Sequence, residues 1–474
     1  MILTLGVQTI ASGHIIGMVA TLFFIIGVGI YAGSQVKSAA DFSGSSRKAG
    51  STLVAGTIMG TLVGGSSTIG TAQLAFQFGL CAWWFTLGAG IGCLVLGLAI
   101  LKPLYTSNKE TIPQYLVETY GQSIGPITSI FSSIGMFINI IAQGLAAVTL
   151  LTATFHISPS LALLVDIVLV LAYVFGGVQG TGMVGVVKLL LLYGATLITG
   201  VLALYLFDGA SGIYHAFPAA FPWFSLFGRG FSKDFAGGFS LLVGVLSTQT
   251  YIQAVLSAKS LGAARKGALM SAFLIPPVGI AGILVGLYMR TQVASFPGLE
   301  SAEVLPVFVL HYLPAWLGGI IISTLLIAVI GTWAGLSLGV STMLINDIYR
   351  QFINKKVNEK EALLLQRGLI VALSLVACYI ISNSAGALIL GFSFLSMGLR
   401  GCTVLFPLLG AMFFKRFVTP AAGIAAAVLG PLSDLVWQFM YPKGIDPLNI
   451  GLVVATSVLV IVSLLTQKSK LAKT

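Results

Sequence analysis

The chain has 474 residues, of which 57% are hydrophobic and only 8% charged, and its formal net charge is +11. Soluble domains carry about 25% charged residues, so this composition excludes a water-soluble globular protein and makes the bilayer the main solvent. The net charge alone would suit a nucleic-acid partner, but its distribution along the chain excludes that reading.

Apolar runs of about 20 residues mark membrane-spanning helices. Thirteen such runs are predicted, at 14–33, 51–76, 80–101, 123–153, 159–176, 181–206, 235–256, 267–289, 316–343, 367–384, 387–413, 419–441 and 450–467. The longest polar segments between them are 207–234, 290–315 and 344–366, too short for a separate soluble domain. The first 13 residues lack the basic region of a cleavable leader. An odd number of spans puts the two ends on opposite sides. With the N-terminus outside, the inner loops carry 18 Lys and Arg residues and the outer loops four, namely Arg229, Lys233, Arg290 and Lys443. The positive-inside rule then sets the C-terminus in the cytoplasm. A multi-pass protein of the cell membrane is expected, with the basic surface facing the anionic inner leaflet and no nucleic acid bound.

In chain order, the first unusual stretch is Gly60–Thr71, GTLVGGSSTIGT, which sets four glycines and five hydroxyl residues inside an apolar run. Glycine costs about 1 kcal/mol in a helix relative to alanine. Unwound backbone at membrane depth persists only where protein buries it or where it lines a cavity, and hydroxyls can satisfy the freed groups. The stretch reads as a discontinuous helix at a central site, whose half-helix ends offer carbonyls to a cation and amides to an anion. Close packing through small residues is the alternative. A second interruption, Gly244–Gln253 (GVLSTQTYIQ), falls five spans later, with four spans between, the spacing of a five-plus-five inverted repeat. A third small-residue stretch, Ala328–Gly339, marks close helix approach or ion contact.

Four ionisable residues fall inside spans: Asp166, Lys188, Arg400 and Asp434. Intramembrane charges are costly and point to function unless they snorkel to an interface. Lys188 and Arg400 lie deep and read as functional. Asp434, beside Pro431 near a span end, reads as snorkelling, and Asp166 is open between the two. The four cysteines have no metal-ligand spacing, and the four histidines lie at span ends or loops with no catalytic partner pattern. No enzyme activity or cofactor is expected. A channel would need a repeated pore loop or rings of charge, and a sensor a signalling domain; neither is present in the sequence.

Six short motifs in order resemble those of the solute:sodium symporter family. They are Asp41–Arg47, Ile69–Gly70 with the following AFQFGL, TIPQYLVETYG at 111–121, QTYIQAVLSAKS at 249–260, NDIYR at 346–350 and FFKRFVTPAAG at 413–423. The resemblance implies an all-α, leucine-transporter-like fold. A leading helix (14–33) would precede two five-helix repeats (51–206 and 235–413) with broken first and sixth core helices, and two further helices (419–467) would follow. It implies cation-coupled symport of a small organic solute by alternating access, most simply with Na⁺, and no catalysis. The family's main sodium site maps onto carbonyls of Gly60, Val63 and Ala328 and onto Gly331 and Thr332. The solute site would draw on Ser66, Ser67, Thr68, Gln73, Gln143, Gln249, Thr250, Tyr251, Gln253, Ser396 and Arg400. Arg400 would hold a carboxylate of an anionic or zwitterionic solute, or else pair with Asp166 or with helix carbonyls.

Two departures stand out. Gly331 lacks the hydroxyl usual at its position. In core helix five, after Gly176–Gly177, the family's aspartate has become Gly185 and its glutamine Lys188. A lysine ammonium near a depleted sodium site gives an alternative to Na⁺ coupling: H⁺ coupling or none, with Lys188 standing in for the ion. The partners expected are the lipid bilayer and the solute. The number of subunits is left open.

Overall fold

The structure, a computed structural model, describes residues 10–34, 47–109, 111–174, 177–218, 220–384, 386–441 and 445–471. The motif residues 41–46 and Gly176 lie outside the described residues, as does Lys443. Among the described residues the fold is helical, and the one β-type pairing is a bridge between Ala49 and Ala258.

The helices follow the apolar runs closely. Helix α1 (Ser12–Ser34) leads. The first interrupted span is α2 (Ser51–Leu62), a π-helical turn at Ser66–Gly70 and α3 (Thr71–Phe78). Then come α4 (Trp84–Val95), continuing through a π turn into α5 (Leu101–Thr106), and the short α6 (Ile112–Tyr120). Helices α7 (Ile124–Phe155), α8 (Pro159–Val174) and α9 (Gly177–Leu206) complete the first half, with α10 (Ala210–Ala216) in the connection. The second interrupted span is α11 (Phe231–Ser247) and α12 (Gln249–Leu256). It is followed by α13 (Leu261–Thr291), α14 (Val304–Tyr312), α15 (Ala315–Met343), α16 (Glu359–Ser382) and α17 (Ile389–Phe413). Helices α18 (Pro420–Met440) and α19 (Pro447–Leu471) close the chain and pack on each other.

Both expected interruptions are present. At the first, Val63 leaves helical geometry at φ −90°, ψ 99°. At the second, Thr248 does so at φ −96°, ψ 120°, and α11 and α12 are bent by 48°. The third small-residue stretch does not break its helix. It lies in continuous α15, buried over most of its length, where small side chains let neighbours approach closely.

The expected count of thirteen spans is not reached on length and hydropathy. Among the described residues nine helices pass, or ten with the bent pair taken as one span, and Ser12–Ile25, Ser51–Leu62 and Pro159–Leu171 are shorter apolar segments. The segments 207–234 and 290–315, read as polar connections, contain α10 and α14. Their apolar faces bury Ile213 and Phe308 against the bundle.

The bundle is held by interior burial, with α15 the most enclosed of the candidate spans and α7 and α17 next. Helix ends that reach polar loops are capped by side chains. Thr111 Oγ1 accepts from the Gln114 N–H, Ser260 Oγ from Ala263 and Asn358 Oδ1 from Glu361. Helix α9 packs on α2 and α15, which places core helix five beside the break in core helix one.

Candidate functional site

Two polar layers meet at the breaks. The first surrounds Lys188 on α9, which is 2% exposed. Its Nζ donates to the Gly60 carbonyl at 2.6 Å, the Ala328 carbonyl at 2.8 Å and Thr332 Oγ1 at 3.2 Å. Gly60 lies in the last turn of α2 just before the break, and Ala328 and Thr332 lie one turn apart on α15. Thr332 Oγ1 itself donates to Ala328 O at 2.9 Å. Three of the five expected cation ligands thus converge on one point, and an ammonium stands there. Val63 and Gly331 are buried on the same two stretches and make no hydrogen bond to it.

Gly185 explains how Lys188 gets there. A Cβ at Gly185 would come within 2.7 Å of the Gly56 carbonyl oxygen, and one at Gly60 within 3.1 Å of the Gly185 Cα. Helices α9 and α2 therefore touch backbone to backbone at this point. An aspartate at 185 does not fit this packing. The close approach brings a long side chain three residues on, at 188, to the end of α2.

The second layer is the break itself. Gln143 on α7 accepts from the Gly65 N–H at 2.8 Å and donates to Ser66 Oγ at 3.0 Å and Asn139 Oδ1 at 3.3 Å. Ser66 Oγ lies 2.6 Å from Ser393 Oγ of α17, and Ser393 donates to Asn139 at 3.2 Å. All four side chains are at most 3% exposed. Ser67 and Thr68 turn back to the freed Gly64 carbonyl at 3.0 and 2.9 Å. Ser66 and Gln143 were expected here. Asn139 and Ser393 were not, although Asn139 precedes Gln143 by four residues and so shares its helix face.

The other expected solute residues go elsewhere. Gln73 joins α3 to the start of α17, donating to Ala387 O at 3.3 Å and accepting from Ile389 N at 3.0 Å. Gln249 accepts from the Ile112 N–H at 3.0 Å and ties the second break to α6. Thr250 and Tyr251 are buried on the same short helix, with Gln253 partly buried beside them. Arg400 is fully buried. It donates from Nη1 to Thr248 Oγ1 at 2.7 Å, from Nη2 to Ser396 Oγ at 2.8 Å and from Nε to Ser396 O at 3.0 Å. It braces the break in core helix six and does not pair with Asp166. Asp166 is fully buried with both carboxylate oxygens unpartnered. Asp434 does not snorkel; it is 1% exposed.

At the other end of the bundle Asp347, from the NDIYR motif, accepts from Thr111 Oγ1 at 3.2 Å and Ser129 Oγ at 2.9 Å. Ala49 and Ser257 to Lys259 are backbone-paired there, and Tyr105 donates to Ala258 O at 2.9 Å. The Ala49 and Tyr105 bonds fasten the ends of the two interrupted spans to each other and to α5, and Asp347 ties the stretch after α15 to Thr111, which caps α6, and to α7.

Residues 42–430 match the model of the sodium:solute symporter family. The chain belongs to the sodium:solute symporter family. Among curated members, a sodium/proline symporter of Haemophilus influenzae is 25% identical over 488 residues, spanning 94% of this chain and 93% of the relative. A high-affinity choline transporter 1 of Caenorhabditis elegans is 26% identical over 476 residues, spanning 91% and 81%. The fold is that of a solved Na⁺-coupled sialic acid symporter, with a TM-score of 0.78, 16% identity and coverage of 97% and 98%. As in other symporters of this family, the architecture is the leucine-transporter-like one that the motifs implied. Family and fold are those of membrane transporters rather than enzymes.

Proposed function

We propose that this family member moves a small organic solute across the cell membrane by alternating access, with the N-terminus outside and the C-terminus in the cytoplasm. The two five-helix repeats rock about the midplane breaks. The observation that carries this reading is the hydrogen-bonded cluster of Ser66, Gln143, Asn139 and Ser393 at the broken helix. It supplies neutral donors and acceptors in a buried site, the means by which transporters read polar solutes. Lys188 and Arg400 are buried nearby and hydrogen-bond to neutral oxygens rather than carboxylates. A positive interior favours a solute with an anionic group, so a zwitterion or an anion fits best.

Family membership supports Na⁺ as the coupling ion, and the oxygens of Gly60, Ala328 and Thr332 suit a hard cation. A second reading is favoured by the Lys188 contacts. Two unit charges about 3 Å apart repel by roughly 5 kcal/mol even at an effective dielectric of 20. Sodium and the Lys188 ammonium therefore exclude each other from this point. In the second reading the ammonium takes the ion's place, and coupling is to protons or absent.

The test is uptake into proteoliposomes of L-proline, choline and a panel of small anions and zwitterions. Each is run with an inward Na⁺ gradient, an inward pH gradient or neither. Uptake driven by Na⁺ alone supports the first reading, and uptake driven by pH or by the solute gradient supports the second. No accumulation or exchange of any solute overturns both.

A further inference from the structure

Helix α17 has two faces. Ser393 turns to Ser66 at the first break, Ser396 to Gly135 on α7 and Arg400 to Thr248 at the second break. Gly391 and Gly398 lie roughly 200° around the helix from Ser393 and Arg400, and with Phe394 they line a cavity of about 490 Å³ between α11, α17, α18 and the start of α19. Charged groups of both signs converge on it: Arg229 and Lys233 at the start of α11, Asp434 on α18 and Asp446 before α19.

Asp434 is 1% exposed and its Oδ2 has no hydrogen-bond partner. Arg229 is only partly satisfied. Its Nε donates to Asp234 Oδ1 at 2.7 Å and its guanidinium lies 5.6 Å from the Phe394 ring centre, but Nη2 is buried without a partner. Asp234, not Asp434, forms the ion pair with Arg229. Each unpartnered atom carries an unrepaid desolvation cost. One cavity therefore presents an unsatisfied anionic acceptor on one wall and an unsatisfied cationic donor on another.

We propose that this cavity is an accessory binding site for a small zwitterion, its ammonium on Asp434 and its anionic oxygens on Arg229. The site is separated from the central one by the thickness of α17. A free amino acid and the phosphoethanolamine headgroup of a lipid share this chemistry.

The test is thermal stability of the full chain in detergent, titrated with L-alanine and separately with O-phosphoethanolamine, with ethylamine and acetate as single-charge controls. A ligand of the folded state raises stability saturably. The variants are Asp434→Asn, Gly391→Ile and Gln143→Ala. A Cβ placed on Gly391 would meet nothing nearer than Leu388 Cβ, at 3.7 Å, so a larger side chain there fills the cavity while leaving its charges intact. Expected is saturable stabilisation by at least one zwitterion beyond either control. The half-saturating concentration should rise at least tenfold in Asp434→Asn and Gly391→Ile but not in Gln143→Ala. Saturation by L-alanine assigns a soluble ligand; saturation by O-phosphoethanolamine alone assigns a headgroup. No zwitterion effect, equal effects of the controls, or insensitivity of both cavity variants overturns the site. Loss of binding in Gln143→Ala alone assigns the zwitterion to the central site, which overturns this proposal and leaves the transport reading standing.

Discussion

The Lys188 ammonium stands 2.6 Å from the carbonyl oxygen of Gly60, the residue with which α2 approaches its break. A charge is thereby fixed at a point where helices α2, α9 and α15 all offer polar atoms. Whether that charge replaces or only guards a transported ion decides how the protein is energised.

Replacing Lys188 by alanine leaves the Gly60 and Ala328 carbonyls without their strongest donor, at a cost of about 1–3 kcal/mol. If the ammonium stands in for the ion, wild-type melting in NaCl matches that in KCl at equal ionic strength. The variant melts lower and gains Na⁺-specific stability, by about 2.7 kcal/mol at a hundredfold excess over its Kd. Saturable Na⁺ stabilisation of the wild type would instead return the ordinary sodium symporter.

Gly185→Ala forces a Cβ to within 2.7 Å of the Gly56 carbonyl, so α9 and α2 must separate. Overpacking of this kind costs about 1–3 kcal/mol. Gly194, on the same helix, has open space at its Cβ position, and Gly194→Ala should leave stability unchanged or slightly raised. Thermal unfolding of the two variants side by side separates a packing effect from a general effect on the helix.

Gln143→Ala strips partners from the Gly65 N–H and Ser66 Oγ together. Uptake should require a solute concentration raised about tenfold or more, the equivalent of roughly 1.4 kcal/mol or above. Normal uptake by a well-folded variant would show that the cluster only holds the break in shape.

Asp347→Asn removes one of the two acceptor oxygens that hold Thr111 and Ser129. The fastening between α6, α7 and α15 weakens, and the nearby half of the pathway opens more often. A Thr250→Cys reporter should label with a membrane-impermeant maleimide several-fold faster in the Asp347→Asn background. Unchanged labelling would remove Asp347 from the gate.

Glu303, in the connection before α14, has its carboxyl pushed upward by burial first and by the neighbouring Glu300 charge as well. Its folded state holds the proton more tightly than the unfolded chain does. Stability is therefore lost as pH rises from the ordinary carboxylate range, near about 4.3, through the raised value. Glu303→Gln should match the wild type at low pH and melt higher above that window. Melting curves from about pH 4 to 8, spanning that range, that run parallel for both proteins would contradict this.

Several features were legible in the residues because they are local. Apolar runs marked the helix positions, since bilayer thickness sets their length. The two interruptions were readable from glycine and hydroxyl content, since a helix break needs permissive backbone and nearby donors. The motif order carried the family, and with it Gly60, Ala328 and Thr332 as neighbours across the bundle.

Other assignments depended on which distant helix each side chain meets. Gln73, Gln143 and Gln249 are alike in sequence, yet one joins α3 to α17, one fills the break and one ties α12 to α6. Arg400 reads as a carboxylate holder from its charge, but the nearest acceptors are Thr248 and Ser396, so it braces a helix end. Ser393 left no local signal, because one serine in an apolar helix carries no information until Ser66 faces it. Sequence could place Lys188 near the depleted cation site; only the close contact of α9 with α2 at Gly185 set its ammonium on the Gly60 and Ala328 carbonyls. Local chemistry is written residue by residue, whereas a shared site is fixed by helix crossings between segments more than 100 residues apart.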